Sequence, residues 1–153
     1  EPRTDFAAIT VKTSPAGGKL VWFVADLDRC FARDEQFEHA LLLANAVRWA
    51  LGDQAKVTLS GGHGVITAEL YSQEGRQVLH LNNRLQLSRV PGRQYDLVPI
   101  GPVEVRVRGA AGAPDHVRLR VAGKSVPARR EGDQVVFTVD AILDHEVVEI
   151  PSR

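Results

Sequence analysis

Asp26, Asp28 and Arg29 follow an apolar run, Leu20-Val21-Trp22-Phe23-Val24-Ala25. Two carboxylates beside a guanidinium at the end of a buried strand stand where α/β proteins often place acid–base or cation-binding groups. Spaced i, i+2, they share a side only if the strand continues through Asp28. The plainer expectation is a polar strand end in which Arg29 pairs an Asp and Asp34 caps the next helix. Cys30 is the single thiol. A nucleophilic Cys sits at a sharp strand–helix turn with a His partner; Cys30 lies outside that context and reads as buried and inert.

The five histidines, at 39, 63, 80, 116 and 145, show no i, i+4 pair and no other compact ligand spacing. His80 alternates with Leu79 and Leu81, faces away from them, and reads as a hydrogen-bonded structural residue. His145 reads as a turn or strand-edge residue. Gly61-Gly62-His63-Gly64 lacks the Lys-Ser/Thr and the following helix of a phosphate loop. It is expected to be a hairpin connection or bulge. No catalytic residue, metal ligand or cofactor site is assigned from these patterns.

Charge is segregated near the end of the chain. Residues 104–130 carry seven Lys and Arg against Glu104 and Asp115, a balance of +5. Residues 131–150 carry six Asp and Glu and no Lys or Arg, a balance of −6. The near cancellation predicts cross-strand pairing of Arg rows with acidic strands on a solvated face, rather than a strip for an anionic glycan. Sugar platforms need exposed aromatic rings, and here only Tyr71 and Tyr95 qualify, because Phe137 reads as core. Tyr71 and Tyr95 are therefore the candidate carbohydrate contacts.

The elements that must position these residues fall into two parts, with a boundary near Gly52-Asp53. Residues 1–52 hold both tryptophans and four of the five phenylalanines. Phe6 to Lys12 and Leu20 to Ala25 read as antiparallel strands joined by the turn Ser14-Pro15-Ala16-Gly17-Gly18. The second strand is apolar on both faces. A helix is expected from the Asp34 N-cap to Leu51, with Gly52 ending it. Its polar strip is narrow (Glu38, Asn45, Arg48), so one side of a hairpin cannot cover its apolar surface. Trp22, Leu42, Leu43 and Trp49 are the candidate interface residues.

In residues 53–153, Ile66 to Tyr71, Val103 to Arg108 and Val117 to Val121 alternate apolar and polar with period two, Val135, Phe137 and Val139 form a further inward set, and Val57/Leu59, Val78 to Leu81 and Val147 to Ile150 read as further strands. Short alternating runs between turns predict an antiparallel sandwich. The long connection from Asn82 to Gly101 is expected to cross between its sheets.

The chain of 153 residues has a formal net charge of zero, which argues against a nucleic-acid partner. No run approaches the ~20 apolar residues of a membrane helix. One Cys excludes an internal disulfide. The chain opens on Glu-Pro-Arg-Thr and has no Met, so an upstream segment is expected and the compartment, cytoplasmic or exported, is left open.

Gly18 to Arg29 resembles the "G-(K/R)-V-V-Y-F-x-x-D-(L/I)-D-R" strand of β-galactosidase-trimerisation-like domains. His39 to Ala50 resembles the "H-x-x-L-L-x-N-A-V-R-W-A" helix that follows it. The remainder is similar to the C-terminal β-domain of the same bacterial glycoside hydrolases. There "V-x-H-L-x-N" is matched by Val78 to Asn83, "I-P-V-G-P-V-x-V" by Val98 to Val105, and "L-D-H-E-V-V" by Leu143 to Val148. The resemblance implies a mainly β fold: an antiparallel β-sandwich preceded by the terminal β-hairpin and helix of a flavodoxin-like, glutamine-amidotransferase-like α/β domain. It implies residues 1–52 as the end of that domain and 53–153 as the sandwich. It also implies a non-catalytic accessory or oligomerisation region. The catalytic TIM barrel, with its carboxylates, would lie upstream, and the partners would be that barrel and further copies of the chain. A carbohydrate-binding module is the alternative.

Overall fold

The computed structural model describes residues 5–34, 36–85, 96–110 and 112–151. Among the described residues the fold is mainly β and antiparallel, with two α-helices. It divides into two compact units, residues 1–54 and 55–153.

In the first unit, β1 (Ile9–Thr13) pairs with β2 (Lys19–Phe23), Ile9 opposite Phe23 and Thr13 opposite Lys19. The turn between them closes through Ser14, whose Oγ accepts the Gly18 N–H at 2.9 Å. Two helices follow, α1 (Leu27–Asp34) and α2 (Phe37–Leu51), where a single helix from Asp34 was expected. Asp34 does not cap α2. Its carboxylate is held by Arg33 through two 2.7 Å hydrogen bonds, and extended Gln36 occupies the N-cap position without a side-chain bond. Asp26 likewise does not extend a strand. β2 ends at Phe23, and the Asp26 carbonyl accepts the Cys30 N–H at 3.0 Å as α1 begins. Asp28 then lies in the first turn, where the positive end of the helix dipole favours a carboxylate. Helix α2 stops at Gly52, whose φ of 57° suits glycine and whose N–H returns to the Arg48 carbonyl.

Among the described residues the second unit holds eight strands: β3 (Val57–Gly61), β4 (Ile66–Gln73), β5 (Arg76–Asn83), β6 (Val103–Arg108), β7 (His116–Leu119), β8 (Lys124–Glu131), β9 (Gln134–Val139) and β10 (His145–Pro151). Their order is β3-β6-β9-β8-β7-β10-β5-β4, and every pair is antiparallel. Strand β8 makes this a sandwich. Lys124 to Pro127 pair with β7, whereas Ala128 to Glu131 pair with β9. One strand thus leaves one sheet and enters the other, the usual corner of packed sheets. Pro127, which has no N–H to give, stands at the handover.

The period-two rows fill the core. Val103, Val105 and Val107 are fully buried while Glu104, Arg106 and Arg108 point outward. Leu79, Leu81, Leu119, Phe137, Val148 and Ile150 are among the other fully buried residues of the interior. Three expectations need correction. Strand β8 has no legible alternation and was not foreseen. Val121, expected to point inward, lies in the β7–β8 turn with 55% of its surface exposed. Gly61 to Gly64 is not a hairpin: β3 pairs with β6 and β4 with β5, so this short 3-10 turn carries the chain between sheets. Gly61 is needed there, since φ is 92° and a Cβ would stand 2.6 Å from the Pro102 carbonyl oxygen. The connection from β5 to β6 also joins different sheets, as expected.

Candidate functional site

The first unit presents apolar surface on both faces of a two-stranded sheet. Opposed residues of an antiparallel pair share a face. Ile9, Val11, Val21 and Phe23 therefore lie on one face, and Leu20 and Trp22 on the other. Helix α2 covers the β2 half of the first face, leaving a hollow of about 390 Å³ lined by Val21, Phe23, Leu43, Ala46, Val47 and Ala50. Ile9 and Val11 stay exposed beside it. On the other face Leu20 is 54% exposed and Trp22 61%.

Among the candidate interface residues, Trp22, Leu42 and Trp49 are exposed, whereas Leu43 is half-buried and turned toward the hairpin. Lys19 reaches α2 at Trp49. Its ammonium donates to the Trp49 carbonyl at 2.8 Å and stands 5.1 Å from the indole centroid, a cation–π distance. The polar strip of α2 is intact, with Arg48 donating to Asn45 Oδ1 at 3.1 Å.

Of the two candidate carboxylates, Asp28 is exposed in the first turn of α1. Asp26 pairs with Arg29 at 2.6 Å in the open, the plain arrangement expected of it. Cys30 lies within α1, half-buried rather than buried. No group of three or more His, Cys, Asp or Glu side chains could hold a metal among the described residues. His145 opens β10 at the surface, 3.7 Å from Asp144. His80 does face away from buried Leu79 and Leu81, but its contact is aromatic: it meets Tyr71 edge to face, centroids 5.5 Å apart and planes at 87°. Tyr71 is 53% exposed. Tyr95 lies outside the described residues.

The charged strands pair as the cancellation predicted. Glu104 and Glu131 are each bound by both Arg106 and Arg129. These hydrogen bonds hold the Glu131 carboxyl below its usual range, Arg106 contributing most and Arg129 next. Arg108 meets Asp133 at 3.1 Å, and Lys124 meets Asp140 at 2.7 Å. On the other sheet, Glu149 lies between Arg76 and Arg120 and is held below its usual range, chiefly by the Arg76 hydrogen bond.

Two buried polar side chains escaped the sequence reading, although both lie in the matched motifs. Asn83 ends "V-x-H-L-x-N". Its Nδ2 donates to the Val98, Ile142 and Leu143 carbonyls at 2.9, 3.2 and 2.9 Å, and its Oδ1 accepts the Leu85 N–H at 3.0 Å. Glu146 of "L-D-H-E-V-V" is 3% exposed and accepts the Val121, Ala122 and Val147 N–H groups. Both motifs therefore mark backbone-holding side chains.

No family model matches the chain, and no curated protein matches it. Among solved structures, the chain is similar to α-L-fucosidase isoenzyme 2 from Paenibacillus thiaminolyticus, with a TM-score of 0.74 and 20% identity. The likeness covers 90% of this chain and 21% of the fucosidase, so the chain spans about a fifth of that enzyme's length. At this identity it establishes a shared fold.

Proposed function

We propose that this chain is a non-catalytic accessory and oligomerisation region of a bacterial glycoside hydrolase whose catalytic barrel lies upstream. In this reading, residues 1–52 are the last hairpin and helix of a β-galactosidase-trimerisation-like, flavodoxin-like domain. Residues 53–153 are the β-sandwich that follows it. The fold shared with part of a fucosidase supports the parent class. The observation that carries the accessory role is the two-stranded sheet with Leu20 and Trp22 open on one face and Ile9 and Val11 open on the other. A lone hairpin is marginal in water. Leaving ~300 Å² of such surface wet forgoes about 7 kcal/mol at ~25 cal/mol/Å², comparable to the stability of a small domain.

Sedimentation velocity on the purified chain over a concentration series tests this. Association that rises with concentration is expected, and Leu20→Asp/Trp22→Asp should abolish it while circular dichroism still reports the helices. A chain that stays monomeric, with its tryptophans fully quenched by acrylamide and its helices formed, would overturn the docking role. The same preparation should turn over none of a panel of chromogenic galactosides and fucosides. Activity that persists through purification to homogeneity would show that catalysis resides in this chain.

The carbohydrate-binding alternative keeps one specific support, the half-exposed Tyr71 ring fixed against His80 on the outer face of a sheet.

A further inference from the structure

We infer that the outer face of the sheet β8-β7-β10-β5-β4 binds an acidic oligosaccharide, with Tyr71 as its stacking surface and Arg118 and Arg120 as its anion clamp. The register builds the site. Tyr71 opposes Val78, Val78 opposes Glu149, Glu149 opposes Arg118, and Arg118 opposes Ser125. Directly opposed residues share a face, so these five form one row across five strands. Tyr71 and Arg118 are three strand spacings apart, ~14 Å at ~4.8 Å each, the length of a short oligosaccharide. Two hollows lie on this face, the first over Val78 and Val147, which are small and half-buried among longer side chains. One, of about 310 Å³, has Arg76, His80, Arg120 and Glu149 around the two valines. The other, of about 250 Å³, lies among His116, Arg118, Arg120, Ser125 and Glu149.

The charge balance of this face differs from that of the other sheet. Arg106 and Arg129 share two glutamates, and Arg108 and Lys124 each have an aspartate. Here Glu149 is the single acid lining the two hollows, against Arg76, Arg118 and Arg120. Glu69 stands opposite His80 on β4, outside both linings. Glu149 is already bound by Arg76 and Arg120, and Arg118 has no ion pair or hydrogen bond among the described residues. Arg118 and Arg120 line the same hollow, and three guanidiniums against the one carboxylate leave the face a balance of +2, with Arg118 the member that has no partner among the described residues. A carboxylate or sulfate ester entering the hollow supplies the missing partner, since guanidinium forks match such anions in bidentate fashion. The exposed Tyr71 ring, held in orientation by His80, suits the apolar face of a sugar ring. This combination of aromatic ring and clamp selects an acidic glycan over a simple anion. The site lies wholly in the second unit and is independent of the docking reading of the first.

Isothermal titration of the full chain with trigalacturonate, neutral galactotriose and inorganic sulfate tests the assignment. Trigalacturonate should bind, and Arg118→Ala and Tyr71→Ser should each weaken it about tenfold or more. Both variants should melt with the native chain, because neither side chain is in the core; Arg118→Lys, which keeps the charge, should recover part of the affinity. Three outcomes would overturn the proposal: no binding of trigalacturonate, equal binding of galactotriose, or binding that Arg118→Ala abolishes but Tyr71→Ser leaves unchanged with sulfate competing equally. The last would define an anion site without sugar recognition.

Discussion

Val105→Asp is expected to abolish cooperative folding of the second unit, whereas Arg106→Ala, one residue along, lowers its melting midpoint by no more than about 4–8 °C. Val105 is fully buried in the inward row of β6, opposite Leu59 on one side and Phe137 on the other. An aspartate there buries a carboxylate with no cation in reach, at a cost of several kcal/mol. The total stability of such a unit is about 5–15 kcal/mol. Burial favours the neutral acid, so the penalty applies above the ordinary aspartate pKa of ~3.9 and fades below it. Partial recovery of structure near that pH is therefore part of the prediction. Arg106 holds Glu104 and Glu131 from the solvated side, and surface pairs of this kind contribute about 0–1 kcal/mol. Both tryptophans lie in the first unit, so far-UV circular dichroism of the strands is the measurement that reports on the second. Equal melting shifts for the two variants would mean that the register of β6 against β3 and β9 is wrong.

That comparison also shows why so much of the sandwich was legible. Where a strand has one face inward and one in water, Val-Glu-Val-Arg-Val-Arg states the register directly. Strand β8 has no such signal. Its first half belongs to one sheet and its second half to the other, so Lys-Ser-Val-Pro-Ala-Arg-Arg-Glu never keeps one inward row, and Pro127 reads as a breaker. Helix α1 was missed for a related reason. It is eight residues long and rich in charge, and its apolar stripe, Leu27, Cys30 and Phe31 at i, i+3 and i+4, spans little more than one turn, too short to show a period. The pairing of Arg rows with acidic strands was legible because opposite charge was segregated along the chain, but composition could not show that Arg118 would be left over. That follows from register alone, since the residues opposite it on β10 and β8 are Glu149, already claimed twice, and Ser125. Asn83 and Glu146 were invisible as hubs because most of their partners are backbone groups distant in sequence.

Glu146 carries the second large effect. Glu146→Leu is expected to destabilise the second unit by about 3–5 kcal/mol, with loss of hydrogen-exchange protection at Val121 and Ala122. Its Oε1 accepts the Val121 N–H at 2.8 Å and its Oε2 the Ala122 N–H at 3.0 Å, while its own strand neighbour Val147 adds a third donor at 2.8 Å. These bonds are only part-buried, so water replaces some of what is lost, but hydrogen bonds to charged groups still contribute about 1.5–3 kcal/mol each. Leucine fills the volume but accepts nothing, so two turn amides and the Val147 amide lose their partner together. Glu146→Gln separates these contributions. Its carbonyl oxygen can still accept from Val121 and Val147, but its NH₂ group would face the Ala122 N–H, donor against donor. Ala122 should therefore exchange fast in Glu146→Gln while Val121 stays protected, and the stability loss should fall between native and Glu146→Leu. Retained protection at both amides in Glu146→Leu would show that the turn closes without the carboxylate. The turn held by Glu146 begins at Arg120, so this buried carboxylate also sets where β7 ends and hence where the clamp residues Arg118 and Arg120 stand.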